Sequence, residues 1–285
     1  MSTPNALLRI KRLEASVMLV FLQDVAMAVA DFIMASIPRP IPTPTALNDC
    51  RIISHRGEFD NSAVMENTLE AFHVARHHGV WGLECDIRWT ADLVPVICHD
   101  ADASRVFGNP TIIAEVSFSE LRERVPLIPS LAELVAEFGG NTHLMLEIKS
   151  VPNSEVAKQR GILADSLADL QPEADFHFLA LDPALFELAA FVPAHCCLPV
   201  AEINLKTLSA AALTQKLGGI TGHFLLLGES MKKRHEAAGQ QVGTGFIASR
   251  NCLFRELNRG VRWIFSNDAV RIQKIRDHYL EREST

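Results

Sequence analysis

The sequence predicts an α/β protein built as one (β/α)8 barrel over residues 49–285, with a helical extension and proline-rich linker over residues 1–48. The first observation is that short β-branched runs alternate with segments of helical periodicity from Arg51 onward. The second is that eight such units occupy about 235 residues, the size of one barrel domain. We therefore expect the 285 residues to form one barrel with an appendage rather than two domains.

The composition is that of a globular protein with a mild negative charge. Apolar residues make up 48% of the chain and charged residues 21%, which supplies a large core and excludes a disordered or fibrous protein. The 27 basic and 34 acidic side chains give a net charge of −7, so we expect no nucleic-acid partner. The six cysteines lack the spacing of a zinc site or disulfide framework, which favours reduced thiols in a cytoplasmic protein.

The eight predicted strands are short runs in which aliphatic and aromatic residues dominate. They cover residues 51–55, 82–88, 143–149, 176–181, 196–201, 223–228, 241–247 and 261–266. Between the strands, Ser130 and Glu133 have the spacing of a capping box at a helix start. Ser209 is predicted to begin the helix that follows the fifth strand.

A further apolar run over residues 94–99 does not fit the alternation of strands and helices. Only about five residues separate it from the second strand, whereas a crossover between parallel strands needs about a dozen or more. We therefore expect an extra antiparallel strand, a hairpin that folds His99 back toward Glu84 and Asp86.

The N-terminal extension contains an apolar segment, residues 17–37, that is long enough to cross a bilayer but is interrupted by Gln23, Asp24 and Asp31. Each mid-membrane Asp costs about 2.5 to 3.5 kcal/mol, which argues against a spanning helix. The polar residues share one face, so we predict an amphipathic helix. It would pack on the barrel, pair with a second copy in a homodimer, or lie on a membrane surface as a peripheral anchor. A signal peptide is a further alternative.

Three carboxylates stand near the ends of predicted strands. Glu84 and Asp86 are two residues apart, so both point to the same face of their strand, and Glu147 lies near the end of another. Carboxylates this close resist double ionisation unless a cation lies between them. Oxygen ligands of this kind suit Mg²⁺ or Ca²⁺, so the sequence predicts a divalent cation site at the mouth of the barrel.

Two histidines and two basic residues are predicted at the same mouth. His55 and Arg56 end the first strand, and His99 reaches the mouth through the hairpin. A histidine pair can act as general acid and base near neutral pH. Arg56 and Lys149 supply fixed positive charge for a phosphate group. Together these groups predict phosphoryl-ester chemistry on a small-molecule substrate.

The motifs that carry these residues resemble, in order and spacing, those of the glycerophosphodiester phosphodiesterase family. They are HRG (55–57), ENT (66–68), ECD (84–86), PVICHD (95–100), IPSLAEL (128–134) and LEIK (146–149). The resemblance implies a TIM-barrel enzyme that uses a divalent metal to hydrolyse glycerophosphodiesters to sn-glycerol 3-phosphate and an alcohol. It also implies attack by a neighbouring hydroxyl of the substrate itself, through a cyclic phosphate.

The resemblance further implies a role for each matched residue. The implied metal ligands are Glu84, Asp86 and Glu147. The implied acid–base pair is His55 and His99. The implied substrate-binding residues are Arg56, Lys149, Glu66 and Asn67.

The second half of the chain departs from the family's pattern. Gly245 stands where the family usually has a tryptophan, and residues 266–269 replace its usual threonine-aspartate-x-proline. These positions shape the far wall of the pocket, so a lipid-directed phosphodiesterase of the phospholipase or lysophospholipase type is an alternative function. Two others are a nucleotide-binding barrel, suggested by GTGFIA at 243–248, and a barrel that has lost catalysis.

Overall fold

The computed structural model describes residue 29, residues 32–150 and residues 155–283. Within these ranges eight parallel strands form a closed ring. In ring order they are β1 (Arg51–His55), β2 (Gly82–Trp89), β4 (His143–Ile148), β5 (Phe176–Ala180), β6 (Cys197–Ala201), β7 (Gly219–His223), β8 (Gln241–Gly245) and β9 (Trp263–Ser266). The ring closes because β1 pairs with both β2 and β9. The predicted (β/α)8 barrel is therefore confirmed.

Helices connect the strands on the outside of the ring. They are α1 (Pro44–Asn48), α2 (Leu69–His77), α3 (Ser104–Phe107), α4 (Phe118–Arg124), α5 (Leu131–Phe138), α6 (Val156–Ser166), α7 (Leu205–Thr214), α8 (Glu229–Ala237), α9 (Arg250–Asn258) and α10 (Ala269–Glu283). Three short 3₁₀ turns span Ile113–Glu115, Pro183–Ala189 and Ala194–Cys196. The capping box of Ser130 and Glu133 at the start of α5 is confirmed.

The predicted start of α7 at Ser209 is wrong, because the helix begins at Leu205. Ser209 lies inside the helix and is fully buried. Its hydroxyl is 2.8 Å from Nε2 of His235 on α8, so the side chain serves a contact between two helices rather than a cap.

One further strand, β3 (Pro95–Ile97), lies outside the ring. It pairs antiparallel with the last residues of β2, and the Cys98 amide donates to the Asp86 carbonyl at 2.9 Å. The hairpin inferred from the short connection is thus confirmed, and it returns the chain to the mouth of the barrel just before His99.

Strand β7 lies earlier in the chain than the sequence predicts. It spans Gly219–His223, whereas we expected residues 223–228, of which residues 224–228 follow the strand as a turn. Phe224 and Leu227 in this turn are fully buried, so their apolar character reflects burial and not strand structure. The strand itself begins at Gly219, which has a φ of 154° and lies close to the backbone of β8. Only a residue without a Cβ fits at this position.

Gly219→Ala tests the corrected position of β7. A Cβ at residue 219 would lie 1.9 Å from the Gln241 carbonyl oxygen of β8, so backbone must move. We expect a loss of unfolding free energy of about 2 to 4 kcal/mol, measured by urea denaturation. The matched control Gly239→Ala, which meets no atom within 4 Å, is expected to cost less despite its φ of 71°. Equal stability of the two variants would contradict the assignment.

The N-terminal extension is only partly described. Residues 1–28, 30 and 31 lie outside the described ranges, so the amphipathic helix over residues 17–37 and the boundary after residue 48 stay predictions. Residues 32–36 are helical. In the part of the chain that the structure covers, no helix combines the length and apolar character needed to span a membrane.

Candidate active site

The three predicted carboxylates meet at the mouth of the barrel. Asp86 and Glu147 are paired neighbours on β2 and β4, and Glu84 is paired with His55 of β1. All three side chains are buried, and one oxygen of each lies within 4.8 Å of the others. The alternation of side chains along β2 and the parallel register with β4 therefore bring the predicted set together.

This concentration of charge perturbs the carboxylates strongly. Burial raises the pKa of Glu84 well above its usual value, and the charges of Asp86 and Glu147 raise it further. Burial would also raise the pKa of Asp86, but the charges of Lys149 and Arg56 reverse this and hold it below its usual range. Lys149 Nζ lies 2.9 Å from Asp86 Oδ1 and also contacts Glu147.

The residues fit a divalent cation. Glu84 Oε1 is buried and has no hydrogen-bond partner among the described residues, which is costly for a carboxylate oxygen. The donor set consists of carboxylate oxygens alone, the chemistry that Mg²⁺ and Ca²⁺ prefer. Glu84, Asp86 and Glu147 would hold such an ion, and its charge would relieve the repulsion among them.

His55 lies at the end of β1 beside the carboxylates. Its Nδ1 is 2.6 Å from Oδ1 of Asn267, and its Nε2 is 3.7 Å from Oε2 of Glu84. Because an amide oxygen can only accept, Nδ1 carries the proton in the neutral ring and Nε2 keeps a lone pair toward the site. Burial and the nearby charge of Arg56 lower the pKa of His55 to about 4, which keeps this lone pair available.

His99 follows β3 and has a different partner. Its Nδ1 lies 2.7 Å from Oδ1 of Asp100, and Arg105 Nε donates to the other oxygen of Asp100 at 2.6 Å. Burial lowers the pKa of His99, while the charge of Asp86 and the bond to Asp100 act in the opposite direction. A carboxylate partner stabilises the protonated ring more than an amide does, so His99 is the better proton carrier of the two.

Glu66 and Asn67 contact other residues of the site. Asn67 Nδ2 donates to Asp86 Oδ2 at 2.8 Å, and Asn67 adopts a left-handed φ of 57°. Glu66 accepts two bonds from Arg105, at 2.6 and 3.0 Å, and one from Arg56 at 3.1 Å. Their observed contacts orient Asp86 and Arg56.

Glu66→Gln tests this arrangement through the pH dependence of stability. Burial would raise the pKa of Glu66, but its bonds to Arg105 and Asn61 lower it to about 2 from the usual 4.5. A lowered pKa stabilises the fold above about pH 4.5, and this stability is lost as the pH falls toward about 2. We expect the variant to lose about 3 kcal/mol at neutral pH and to show a shallower acid decline, measured by urea denaturation. A decline as steep as in the wild type would contradict this role.

Three residues of the site were not predicted. Asp100 directly follows His99, so its adjacency was a usable signal. Asn267 lies in the run 266–269 that was expected on the pocket wall, but nothing in the sequence linked it to His55, which it meets across 212 residues. Arg105 gave no signal, because it acts through a salt bridge that only the folded chain forms. Arg105 links His99, through Asp100, to Glu66. To predict this link, one would have to know the path of the chain after β3.

The opposite wall of the mouth is apolar. It consists mainly of Leu179, Val200, Phe246 and Phe265, and it encloses with the carboxylates a space of about 50 Å³. A Cβ at Gly245 would approach no atom closer than 3.8 Å, so the glycine leaves this wall open. Charged groups from β1, β2 and β4 thus face apolar groups from β5 to β9 across one small pocket.

Comparison with known proteins agrees with this geometry. A family model described as "Glycerophosphoryl diester phosphodiesterase family" matches residues 55–186. A Bacillus altitudinis glycerophosphodiester phosphodiesterase is 27% identical over 252 residues, which are 80% of this chain and 98% of the relative. The resemblance to the glycerophosphodiester phosphodiesterase family that the motifs indicate is therefore confirmed.

Other members of the phosphodiesterase family match over different lengths. Human glycerophosphodiester phosphodiesterase 1 is 29% identical over 130 residues, and the match covers only 39% of that protein and 39% of this chain. A Thermotoga maritima glycerophosphodiester phosphodiesterase superposes with a TM-score of 0.64 at 20% identity, over 79% of this chain and 98% of its own. An Oleispira antarctica phosphodiesterase, solved with the product sn-glycerol 3-phosphate, superposes at 0.67 with 21% identity, over 81% and 99%.

The glycine run GTGFIA has a packing role in this barrel. Gly243 lies inside β8, where a Cβ would come within 2.8 Å of the Phe265 ring. A dinucleotide loop requires its glycines between a strand and a helix, not within a strand that accommodates a neighbouring ring. The run therefore gives no support to the nucleotide-binding alternative.

Proposed function

We propose that this protein hydrolyses glycerophosphodiesters to sn-glycerol 3-phosphate and an alcohol, with Mg²⁺ or Ca²⁺ held by Glu84, Asp86 and Glu147. The observation that carries this proposal is the buried carboxylate cluster at the mouth, flanked by two histidines with different partners. A relative with the same fold was solved with sn-glycerol 3-phosphate, which supports the product.

Arg56 and Lys149 are proposed to bind the phosphate. Both side chains are mostly buried at the mouth, and both pair with Asp86, at 3.3 Å for Arg56 Nε and 2.9 Å for Lys149 Nζ. These contacts fix the two cations without saturating their donors, because guanidinium and ammonium groups have five and three N–H bonds. The bound divalent ion would add Lewis-acid polarisation of the phosphate.

His55 is proposed as the general base and His99 as the general acid. The lone pair on Nε2 of His55 accepts the proton of the substrate hydroxyl that attacks phosphorus, and Asn267 holds the ring in that tautomer. Nε2 of His99 delivers a proton to the departing alcohol oxygen, while Asp100 stabilises the protonated ring. Water then opens the cyclic phosphate as the two histidines exchange roles, which leaves sn-glycerol 3-phosphate and restores both rings.

The remaining expectations extend this proposal. We propose a cytoplasmic protein, which is consistent with six free and buried cysteines. We also propose that residues 1–48 meet a membrane surface or a second copy of the chain, as the amphipathic pattern predicts.

The deciding experiment combines a substrate panel with metal removal. Glycerophosphocholine, glycerophosphoethanolamine and a monoacyl phosphodiester are incubated with the full chain, and the products are identified by NMR. We expect sn-glycerol 3-phosphate from the soluble substrates, loss of turnover with EDTA, and recovery with added Mg²⁺ or Ca²⁺. Turnover that is unaffected by the chelator, or products other than a phosphomonoester and an alcohol, would overturn the proposal.

A further inference from the structure

Polar side chains also meet at the base of the barrel, where the strands begin. Alternate residues of a strand point to the same face, so the inward residues of β1 are Arg51, Ile53 and His55, from base to mouth. His55 belongs to the catalytic mouth, and Arg51 therefore lies at the opposite end of the barrel interior. By the same alternation, four residues of other strands lie at this end. They are His143 on β4, His177 on β5, Gln241 on β8 and Trp263 on β9, and with Arg51 we call them the basal layer.

An apolar layer separates the basal layer from the mouth. Ile53, Met145, Leu179 and Leu198 are buried and pack in one cluster in the barrel interior. Branched aliphatic residues of this kind usually fill the whole interior of such a barrel, so an arginine and two histidines in one layer are unusual. A ligand at the base would contact this polar layer and not the carboxylates of the mouth.

Two adjoining cavities open at the base. They have volumes of about 550 and 620 Å³, and they share Arg51, Gln241 and Trp263 as lining residues. Pockets for small molecules typically measure roughly 300 to 1,000 Å³, so each cavity has the size of a ligand site. Both are much larger than the space of about 50 Å³ beside the carboxylates. The base therefore has room for a molecule larger than a phosphate ion.

The lining of the two cavities is positively charged, although the whole chain carries a net charge of −7. Its basic residues are Arg51, Lys216, Arg262 and Arg276, and its acidic residues are Asp49 and Glu173. Arg51 forms no ion pair with a residue that the structure describes, and Arg262 Nε is 3.6 Å from Asp49 Oδ2. Guanidinium groups bind phosphate through paired N–H donors, and these two arginines keep such donors free. The lining therefore favours an anionic ligand.

The aromatic residue next to Arg51 is already covered. The guanidinium carbon of Arg51 lies 4.8 Å from the centre of the Trp81 ring, and the His143 ring stacks on Trp81 with a centroid distance of 4.1 Å. A nucleobase that stacked on Trp81 would have to displace one of these two partners. The lining therefore favours an anion without an aromatic ring.

His177 presents a hydrogen-bond acceptor at the base. His143 Nδ1 lies 2.9 Å from the Ala174 carbonyl oxygen, which can only accept, so Nδ1 carries the proton of the neutral His143 ring. His143 Nε2 then accepts from His177 Nδ1 at 2.8 Å, which leaves the lone pair of His177 on Nε2. Burial lowers the pKa of His177 to about 3, so this lone pair is present at neutral pH.

This lone pair has no acceptor role within the described part of the chain. His177 is only 4% exposed, it lines the larger cavity, and its Nε2 has no hydrogen-bond partner among the described residues. A buried polar atom without a partner is costly, and a hydroxyl group of a ligand would satisfy it. The side-chain amide of Gln241, which both cavities share, adds a donor and an acceptor for further hydroxyl groups.

We propose that the base of this barrel binds a phosphorylated sugar or polyol, with its phosphate on Arg51 and Arg262 and a hydroxyl group on His177. Arg262 lines only the smaller cavity and His177 only the larger, whereas Arg51 lines both. A ligand that contacts all three residues must therefore extend beyond a single phosphate group. The site is independent of the mouth, and so the inference does not depend on the proposed hydrolysis.

The test measures ligand binding by the full chain in a buffer that contains Mg²⁺. Glucose 6-phosphate is the probe, glucose and inorganic phosphate are the comparison ligands, and affinities are measured by isothermal titration calorimetry. Arg51→Gln and Arg262→Gln remove the proposed phosphate donors. Arg160→Gln on α6 is the matched control, because the side chains of Arg160 and Arg262 are both 34% exposed and each pairs with one carboxylate. Melting temperatures check that all variants fold.

We expect Arg51→Gln and Arg262→Gln each to weaken glucose 6-phosphate binding about tenfold or more, and Arg160→Gln to change it less than about twofold. Inorganic phosphate should bind the wild type at least about tenfold more weakly than glucose 6-phosphate, and glucose more weakly still. In NMR spectra, the ring resonances of His177 should shift on binding, whereas those of His235, buried on α8, should not.

Four results would overturn the proposal. The first is no binding of glucose 6-phosphate by the wild type at about 10 mM. The second is an equal loss of affinity in Arg160→Gln, which would show that net charge alone attracts the ligand. The third is inorganic phosphate that binds as tightly as glucose 6-phosphate. The fourth is binding that Lys149→Gln abolishes and Arg51→Gln leaves intact, which would place the ligand at the mouth.

Discussion

Replacing Glu84 by glutamine is expected to lower kcat/KM for glycerophosphocholine about a thousandfold while raising the stability of the metal-free protein. The activity falls because one of three anionic oxygen ligands becomes a neutral amide, and metal-assisted polarisation of a phosphate is worth several kcal/mol. Turnover should require a higher concentration of added Mg²⁺ or Ca²⁺, measured as a shift of the metal titration.

The stability change has the opposite sign because Glu84 is a burden on the metal-free fold. Burial and the charges of Asp86 and Glu147 raise its pKa, so the folded state holds this proton more tightly than the unfolded chain does. The contribution of Glu84 to the free energy of unfolding therefore falls as the pH rises above the usual pKa of a glutamate. Glutamine removes the charge at the same volume, and we expect the melting temperature in EDTA to rise by about 2 to 4 °C.

Glu256→Gln is the matched control for this experiment. Glu256 is also fully buried, and burial raises its pKa, but it lies on α9 and pairs with Arg255 and Arg259. Its raised pKa predicts a rise of the melting temperature on replacement as well, but kcat/KM should stay unchanged because Glu256 is not one of the three carboxylates of the site. A Glu84→Gln enzyme with nearly normal kcat/KM, or one that melts earlier than the wild type in EDTA, would contradict the proposed metal site.

Glu84 and Asp86 illustrate which parts of a site a sequence predicts. Strand alternation fixes the face of a side chain, so two carboxylates at an interval of two residues on β2 had to point together. The connection from β2 to β3 was too short for a crossover, so the return of His99 followed from chain geometry. In each case the information lay within a few residues along the chain.

Asn267 and the position of β7 illustrate what the sequence did not reveal. Asn267 meets His55 across 212 residues, and neither residue carries a local sign of the other. The apolar run after His223 is buried although it is not a strand. A buried turn and a buried strand both require apolar side chains, so the pattern alone does not distinguish them. The actual β7 contains two glycines and a polar threonine, because its neighbours in the ring approach too closely for larger side chains.

The two halves of the mouth differ in the kind of side chain that they contribute. Groups on β1, β2 and β4, together with the loop after β3, carry the charge and the proposed proton transfers. Strands β5 to β9 supply apolar contact, and from this half Asn267 and the Phe246 ring contact His55. Apolar walls exclude water and strengthen every charge interaction opposite them. We therefore expect substitutions in the second half, such as at Gly245 where a Cβ would meet no atom closer than 3.8 Å, to alter substrate choice more than proton transfer.

Replacing His99 by alanine is expected to lower kcat for glycerophosphocholine by about 10²- to 10⁴-fold, with little change in KM. The reason is that an alkoxide leaves poorly unless it receives a proton, and His99 is the proposed donor. Asp100 keeps its bond to Arg105, so the fold should remain intact. A p-nitrophenyl ester of glycerol phosphate, whose leaving group needs no proton, should lose much less activity.

The comparison with His55→Ala completes this prediction. A missing general base slows attack whatever the leaving group, so His55→Ala should reduce turnover of the alkyl and p-nitrophenyl esters about equally. His77→Ala, on the exposed outer surface of α2, is the control and should change neither rate. Equal losses on both esters in His99→Ala, with unequal losses in His55→Ala, would show that the two histidines have the reverse roles.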